Sequence, residues 1–276
     1  MSRLPGFVEW GGPGYGADMR RASGLAGRYR IGSVPYLNAL PLTRDLGHPV
    51  VLLPPAALAV ELHAGHLDAA LVSVTEPLLH PGYRIVDGAG IVSHGPVASV
   101  FLAHRGPLEG IQTVHVDPAT RTSIELLRIL LAERGCRPGF RPLDRYADAS
   151  SLDAVLLIGN PALEFRRSGA THELWDLGGA WAQFTGLPFV YATWVVRDGP
   201  EAVPLARSLR AAAETGIAAI PTLVDSRPEF DRALREAYLG GHIRYLIGPV
   251  EKSGVLRFAE LLAKHGGQRV FPPHFV

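Results

Sequence analysis

A single cysteine, Cys136, stands in 276 residues, so an internal disulfide is excluded and a structural zinc site of the usual Cys/His spacing has no first pair to start from. Long apolar runs are missing as well. The first 26 residues are rich in Gly, Arg and Pro and lack the central hydrophobic stretch of an export signal or a membrane helix. Residues 1–27 are therefore expected to form an irregular leader, with Met19 before Arg20 and Arg21 as an alternative start of translation and the ordered part beginning near Arg28. An excess of charge of one sign is also lacking: 27 Lys and Arg against 26 Asp and Glu leave +1. Neither nucleic acid nor an anionic membrane surface has an electrostatic reason to bind. These absences point to a cytoplasmic protein whose partner is a small molecule.

Familiar catalytic signatures are absent too. No P-loop, no G-x-S-x-G elbow, no H-E-x-x-H and no glycine-rich dinucleotide fingerprint occurs, so nucleotide, NAD and metal-hydrolase chemistry have no support. His63, His66, His80 and His104 show no ligand spacing backed by a second pair, and His94 reads as a turn residue. No metal and no cofactor is expected.

What is present is 47% hydrophobic residues, enough for two lobes with a core each. From Arg28 onward short apolar runs alternate with helical stretches, the pattern of βαβ units and a largely parallel sheet. Strands are predicted at 29–34, 50–53, 67–72, 113–116, 154–158 and 189–196. Helices are predicted from Pro54-Pro55 to Leu62, ended by Gly65, from Ser123 to about Arg134, and through the tail after Glu201.

Two internal echoes suggest a duplicated lobe. LDAALVSVTEPLL from Leu67 resembles LDAVLLIGNPALE from Leu152, and PVASVFLAHR ending at Arg105 resembles PFVYATWVVR ending at Arg197. With the two long strands as crossovers, residues 28–112 plus 190–276 form one lobe and 113–189 the other, with a ligand cleft between them.

In open parallel sheets ligands bind beyond the carboxyl ends of strands, where helix N-termini offer unpaired N–H groups. Polar residues stand at four such ends: Tyr36 and Asn38 after the first strand, Ser73 to Pro77 after the third, Thr120-Arg121-Thr122-Ser123 after Val116, and Asn160-Pro161 after Ile158. Capping accounts for several of them, with Thr122 and Glu125 as a capping box and Asn160 as an N-cap. Capping leaves Arg121 beside hydroxyls at a helix start unexplained, and that arrangement suits a carboxylate. Gly95 and Pro96 in Ser93-His94-Gly95-Pro96-Val97-Ala98-Ser99 would bring backbone close to a bound ligand.

Taken together these segments resemble the chorismate dehydratases, the first enzymes of the futalosine route to menaquinone. The resemblance rests on IGSVPYLNALPL at 31–42, LDAALVSVTE at 67–76, GPVASV at 95–100, TRTS at 120–123, LIGNPAL at 157–163 and WAQFTGLPFVYATW at 181–194, in order over roughly Arg28 to Gly254. It implies a two-lobed α/β fold of the type II periplasmic-binding-protein class and loss of water from chorismate, giving 3-[(1-carboxyvinyl)oxy]benzoate. It places the functional Asn at Asn38 and the cleft Ser at Ser99. Substrate contacts are implied for Tyr36, Ser73, Gly95, Pro96, Thr120, Arg121, Thr122, Ser123, Gly159 and Asn160. The chain departs from the pattern at Pro35, at Thr120, where Ser is frequent, and at Asn160, where Asp is common.

Two alternatives remain at this point: a non-catalytic small-anion-binding protein of the same fold, and the sister enzyme that forms dihydroxynaphthoate. The latter opens with a Ser-Pro-Cys-Pro-Asn-type motif and uses a histidine base, neither of which is evident.

Overall fold

The computed structural model of the chain describes residues 29–226 and 230–276; the expected leader and its alternative start lie outside them. In chain order the strands and helices are β1 (Ile31–Ser33), α1 (Leu40–Thr43), β2 (Val50–Leu52), α2 (Pro55–His63), β3 (Ala69–Ser73), α3 (Thr75–Leu79), β4 (Tyr83–Ser93), β5 (Val100–His104), β6 (Thr113–Val116) and α4 (Thr122–Glu133). There follow β7 (Gly139–Pro142), β8 (Ala154–Ile158), α5 (Gly159–Arg167), β9 (Glu173–Asp176), α6 (Leu177–Thr185), β10 (Phe189–Arg197), α7 (Ala202–Ala218), α8 (Ile220–Ser226), α9 (Arg232–Glu236), a π-helical turn (Ala237–His242) and α10 (Pro249–His265).

The strands form two five-stranded sheets, ordered β2-β1-β3-β10-β4 and β7-β6-β8-β5-β9. In each, three strands run parallel and the fourth position is filled antiparallel by a strand that follows a crossing between lobes. The sequence echoes fall on this correspondence: β3 and β8 hold the third position, β10 and β5 the fourth. The strand Val100–His104 was expected with the first lobe, but its register Phe101↔Leu157 and Leu102↔Leu156 places it in the second sheet. The physical reason is that the chain crosses in the turn before this strand, between β4 and β5, so the strand's unpaired edges meet β8 and β9.

Alternation along β5 and β8 supplies two faces. Phe101, Ala103, Val155 and Leu157 pack with Leu143, Ala149, Ala162 and Phe165, while Leu102, Ala154 and Leu156 face the larger core shared with α4. Such double-sided burial is why 154–158 reads as one unbroken apolar run. β4 escaped the sequence reading because Asp87-Gly88-Ala89-Gly90 interrupts its apolar pattern. Its backbone is completed by the chain's end: Ile85 N donates to His274 O at 2.7 Å and Asp87 N to Val276 O at 2.9 Å. Trp181 lies in the core, its Nε1 donating to Pro188 O at 3.1 Å, whereas Phe184 is exposed. Among the described residues no helix is long and apolar enough to cross a membrane.

Candidate active site

The turn after β1 is pinned by apolar neighbours, since Leu37 and Ala39 are buried on either side of Asn38. The Asn38 side chain caps nothing. α1 starts from Ala39 with no side-chain cap, and Asn38 Nδ2 instead donates to Tyr238 Oη at 3.1 Å. Tyr238 in turn donates to Ser99 Oγ at 2.7 Å. The chain Asn38→Tyr238→Ser99 thus joins the first-lobe turn, the tail and the crossover into the second lobe. It also leaves capacity unused: Asn38 Oδ1 is buried without a hydrogen-bond partner among the described residues. Ser99 accepts from Tyr238, so its own O–H remains to be given elsewhere. Tyr238 is fully buried, which pushes its phenol up to about 12 and keeps it a donor at neutral pH.

The crossover loop that carries Ser99 is held by Asp176. Its carboxylate accepts from Val97 N at 3.1 Å, Ala98 N at 2.8 Å and Gly179 N at 3.0 Å, the last as the N-cap of α6. Ala98 sits at φ +66, a left-handed conformation that costs a non-glycine residue about 1 kcal/mol or more; the bond from its N–H to Asp176 and one from Arg166 Nε to its carbonyl at 3.2 Å hold it there. Gly178 packs against the same loop, where a Cβ would lie 2.5 Å from Gly95 O and from Tyr191 Oη. Gly95 is buried at φ +105, and Pro96 is exposed beside it.

The ends of β3 and β6 meet across the lobes. Thr122 Oγ1 donates to Tyr191 O at 2.9 Å, so its contact with Ser73 Oγ must be an acceptance, and Ser73 in turn accepts from Thr75 Oγ1 at 2.5 Å. The relay Thr75→Ser73→Thr122→Tyr191 O links the first lobe to α4. Its terminal carbonyl is aimed by a bulge: pairing of β10 with β4 shifts register between Val190 and Ala192, leaving Tyr191 O to Thr122 and to Val74 N.

Several expectations at these turns change. Thr122 opens no capping box, because Arg121 holds the N-cap position without a side-chain cap, Thr122 is already the first helical residue, and its Oγ1 accepts from Ser73. Asn160 is not an N-cap either: Gly159, at φ +61, turns the chain into α5 one residue earlier, and Asn160 lies half-buried in the first turn. Gly159 serves the site through its backbone, its N–H donating to Ser99 O at 2.8 Å. The Tyr36 ring covers it, about 3.5 Å from where a Cβ would stand, and burial raises the Tyr36 phenol above its ordinary range.

Thr120 is buried with its hydroxyl unpartnered, Ser123 is buried, and Arg121 is exposed with no ion pair or hydrogen bond among the described residues. Asp117 orders the turn before α4, accepting from Ala119 N at 2.9 Å and Tyr146 Oη at 2.7 Å; its burial raises its carboxyl above the usual range.

Sequence reasoning missed Tyr238 and Asp176. Both lie outside the recognised motifs. Asp176 directly before the apolar-periodic Leu177 is an N-cap signal that could have been read, whereas nothing local marks Tyr238.

Two lobes, each a mixed sheet with one antiparallel strand, and polar turns gathered where the lobes meet define the periplasmic-binding-protein class of fold. Solved structures agree at low identity. A protein from Archaeoglobus fulgidus superposes with a TM-score of 0.70 at 17% identity, covering 86% of this chain and 97% of that one. The alkanesulfonate-binding protein of Xanthomonas axonopodis pv. citri, bound to MOPS, gives 0.65 at 15% identity over 88% and 94%. Among curated proteins, the chorismate dehydratase of Thermus thermophilus is 30% identical over 259 residues, 85% of this chain and 95% of that protein. The family described as "Menaquinone biosynthesis" matches residues 29–264. The chain belongs to that menaquinone biosynthesis family.

Proposed function

We propose that the protein is a cytoplasmic chorismate dehydratase that forms 3-[(1-carboxyvinyl)oxy]benzoate in the futalosine route to menaquinone. The single observation that carries this reading is the Asn38–Tyr238–Ser99 chain, whose outer atoms have bonding capacity left for a ligand. The 30% identical relative named chorismate dehydratase supports it.

In the reaction the C–H bond at the ring carbon bearing the enolpyruvyl ether breaks, and its electron pair becomes the new ring double bond. The C–O bond at the neighbouring carbon breaks, and the departing hydroxide takes up a proton and leaves as water. Aromatisation supplies the driving force, so the protein's task is to hold a dianion and assist the leaving group. No protein carboxylate or histidine is assigned as base; the substrate's own enolpyruvyl carboxylate takes the proton.

Ser99, left with its proton by Tyr238's donation, hydrogen-bonds to the departing hydroxyl. Asn38 offers its second N–H and Oδ1 to the ring substituents. Arg121, with the hydroxyls of Thr120 and Ser123, anchors a carboxylate. Thr122 and Ser73 contribute by joining the lobes, a role their hydrogen bonds support better than direct contact with substrate.

The test is incubation of purified protein with chorismate, with product followed by mass. Loss of one water is expected. Chorismate bound reversibly but recovered unchanged would favour the anion-binding alternative, to which the likeness to a sulfonate-binding fold lends its support.

A further inference from the structure

Outside the Asn38–Ser99 site, the fold assembles a group of metal-ligating side chains that no sequence spacing announces. His63 is the last residue of α2, Glu76 lies in α3, and His80 follows α3 as its C-cap. His63 Nε2 stands 3.2 Å from Glu76 Oε2, His80 Nε2 stands 3.7 Å from the same oxygen, and the donor atoms all lie within 4.8 Å of one another.

A second observation points to a ligand. The Glu76 side chain is only 9% exposed, and its Oε2, the atom both histidines approach, has no hydrogen-bond partner among the described residues. A buried carboxyl oxygen left so is costly unless a cation or donor reaches it.

Both imidazoles present a ring nitrogen to this oxygen, and two imidazole nitrogens with a carboxylate are the donor set a divalent transition-metal ion takes.

We propose that His63, Glu76 and His80 bind a zinc(II) ion at the junction of α2 and α3. Zinc takes imidazole nitrogen and carboxylate oxygen at about 2.0–2.2 Å in tetrahedral geometry, which sets donor atoms roughly 3.3–3.5 Å apart. Both distances to Glu76 Oε2 are already close to this, and the remaining pair closes by rotation of His80, whose side chain is 49% exposed. The fourth position is open to water. Arg197, which donates to Leu62 O at 2.8 Å and lies over the Tyr83 ring, is one neighbouring cation whose charge opposes a bound metal ion. Glu76 directly follows Thr75, the first hydroxyl of the relay to Thr122, so the ion would brace the segment that links the lobes.

The test uses the full chain without an affinity tag, stripped of metal, with zinc chloride titrated by calorimetry near neutral pH and bound metal counted by mass spectrometry. One zinc per chain is expected for the wild type and for His66→Ala, a control at the separate His66–Glu61 pair. Binding should weaken at least about tenfold in His63→Ala and in His80→Ala. Cobalt(II) added to the wild-type chain should give the intense visible bands of a tetrahedral site, a readout that needs no variant to fold. No stoichiometric zinc in the wild type, or the same affinity in both variants, would overturn the proposal. These readouts are independent of dehydration, so they stand whether or not chorismate is the substrate.

Discussion

Tyr238 gives its hydroxyl proton to Ser99 Oγ at 2.7 Å, across 139 residues of sequence, while accepting from Asn38 at 3.1 Å. A phenylalanine at 238 keeps the buried ring and removes both bonds. Tyr238→Phe should lower kcat by about tenfold to a hundredfold, with KM changed far less, because Asn38 and Ser99 lose the atom that aims them. Steady-state kinetics beside a thermal melt measure this; unchanged kcat in a folded variant would show the bridge to be structural only.

Asn38→Asp preserves shape but sets a negative charge against an anionic substrate. A fall in rate on the order of a hundredfold or more is expected, with Ser99→Ala acting in the same direction more weakly. The Asn38 side chain caps no helix, so a fully active, folded Asn38→Asp enzyme would remove Asn38 from the mechanism.

The carboxylate of Asp176 satisfies three backbone donors, at Val97, Ala98 and Gly179. Asp176→Ala removes an N-cap and strands the N–H groups that fix the Ser99 loop, at an expected cost of about 2–3 kcal/mol in denaturant unfolding. Because Ala98 sits in a left-handed conformation, kcat should fall in the same variant; stability within about 0.5 kcal/mol of wild type would contradict the assignment.

Alkaline pH provides a separate check on Tyr238. The folded protein holds this phenol's proton up to about 12, whereas the unfolded chain releases it near 10. The stabilisation linked to that difference is complete below the unfolded value and is lost as pH rises through the folded one, at most about 3 kcal/mol by linkage. Unfolding free energy of wild type should therefore drop more steeply than that of Tyr238→Phe between roughly pH 10 and 12; parallel curves would mean the phenol titrates normally.

The strands at 113–116 and 154–158, the helix after Thr122 and the helical tail were legible in the residues because periodicity and apolar runs are local properties. The paired echoes at Leu67 and Leu152, and at Arg105 and Arg197, foretold two sheets of like order. Asn38, Ser99 and Gly159 fall in one hydrogen-bonded group, and Ser73 and Thr122 in another. What tertiary structure alone decided is how each is used. Local rules made Thr122 and Asn160 caps, since a short polar side chain before a helix satisfies that rule by itself. Tertiary structure overrode them: the Thr122 oxygen accepts from Ser73 of the other lobe while its proton goes to the bulged Tyr191 carbonyl, and the left-handed Gly159 starts α5 before Asn160 can cap it. The sheet membership of Val100–His104 and the meeting of His63, Glu76 and His80 have the same origin, for each depends on where the chain returns in space, which no window of sequence records.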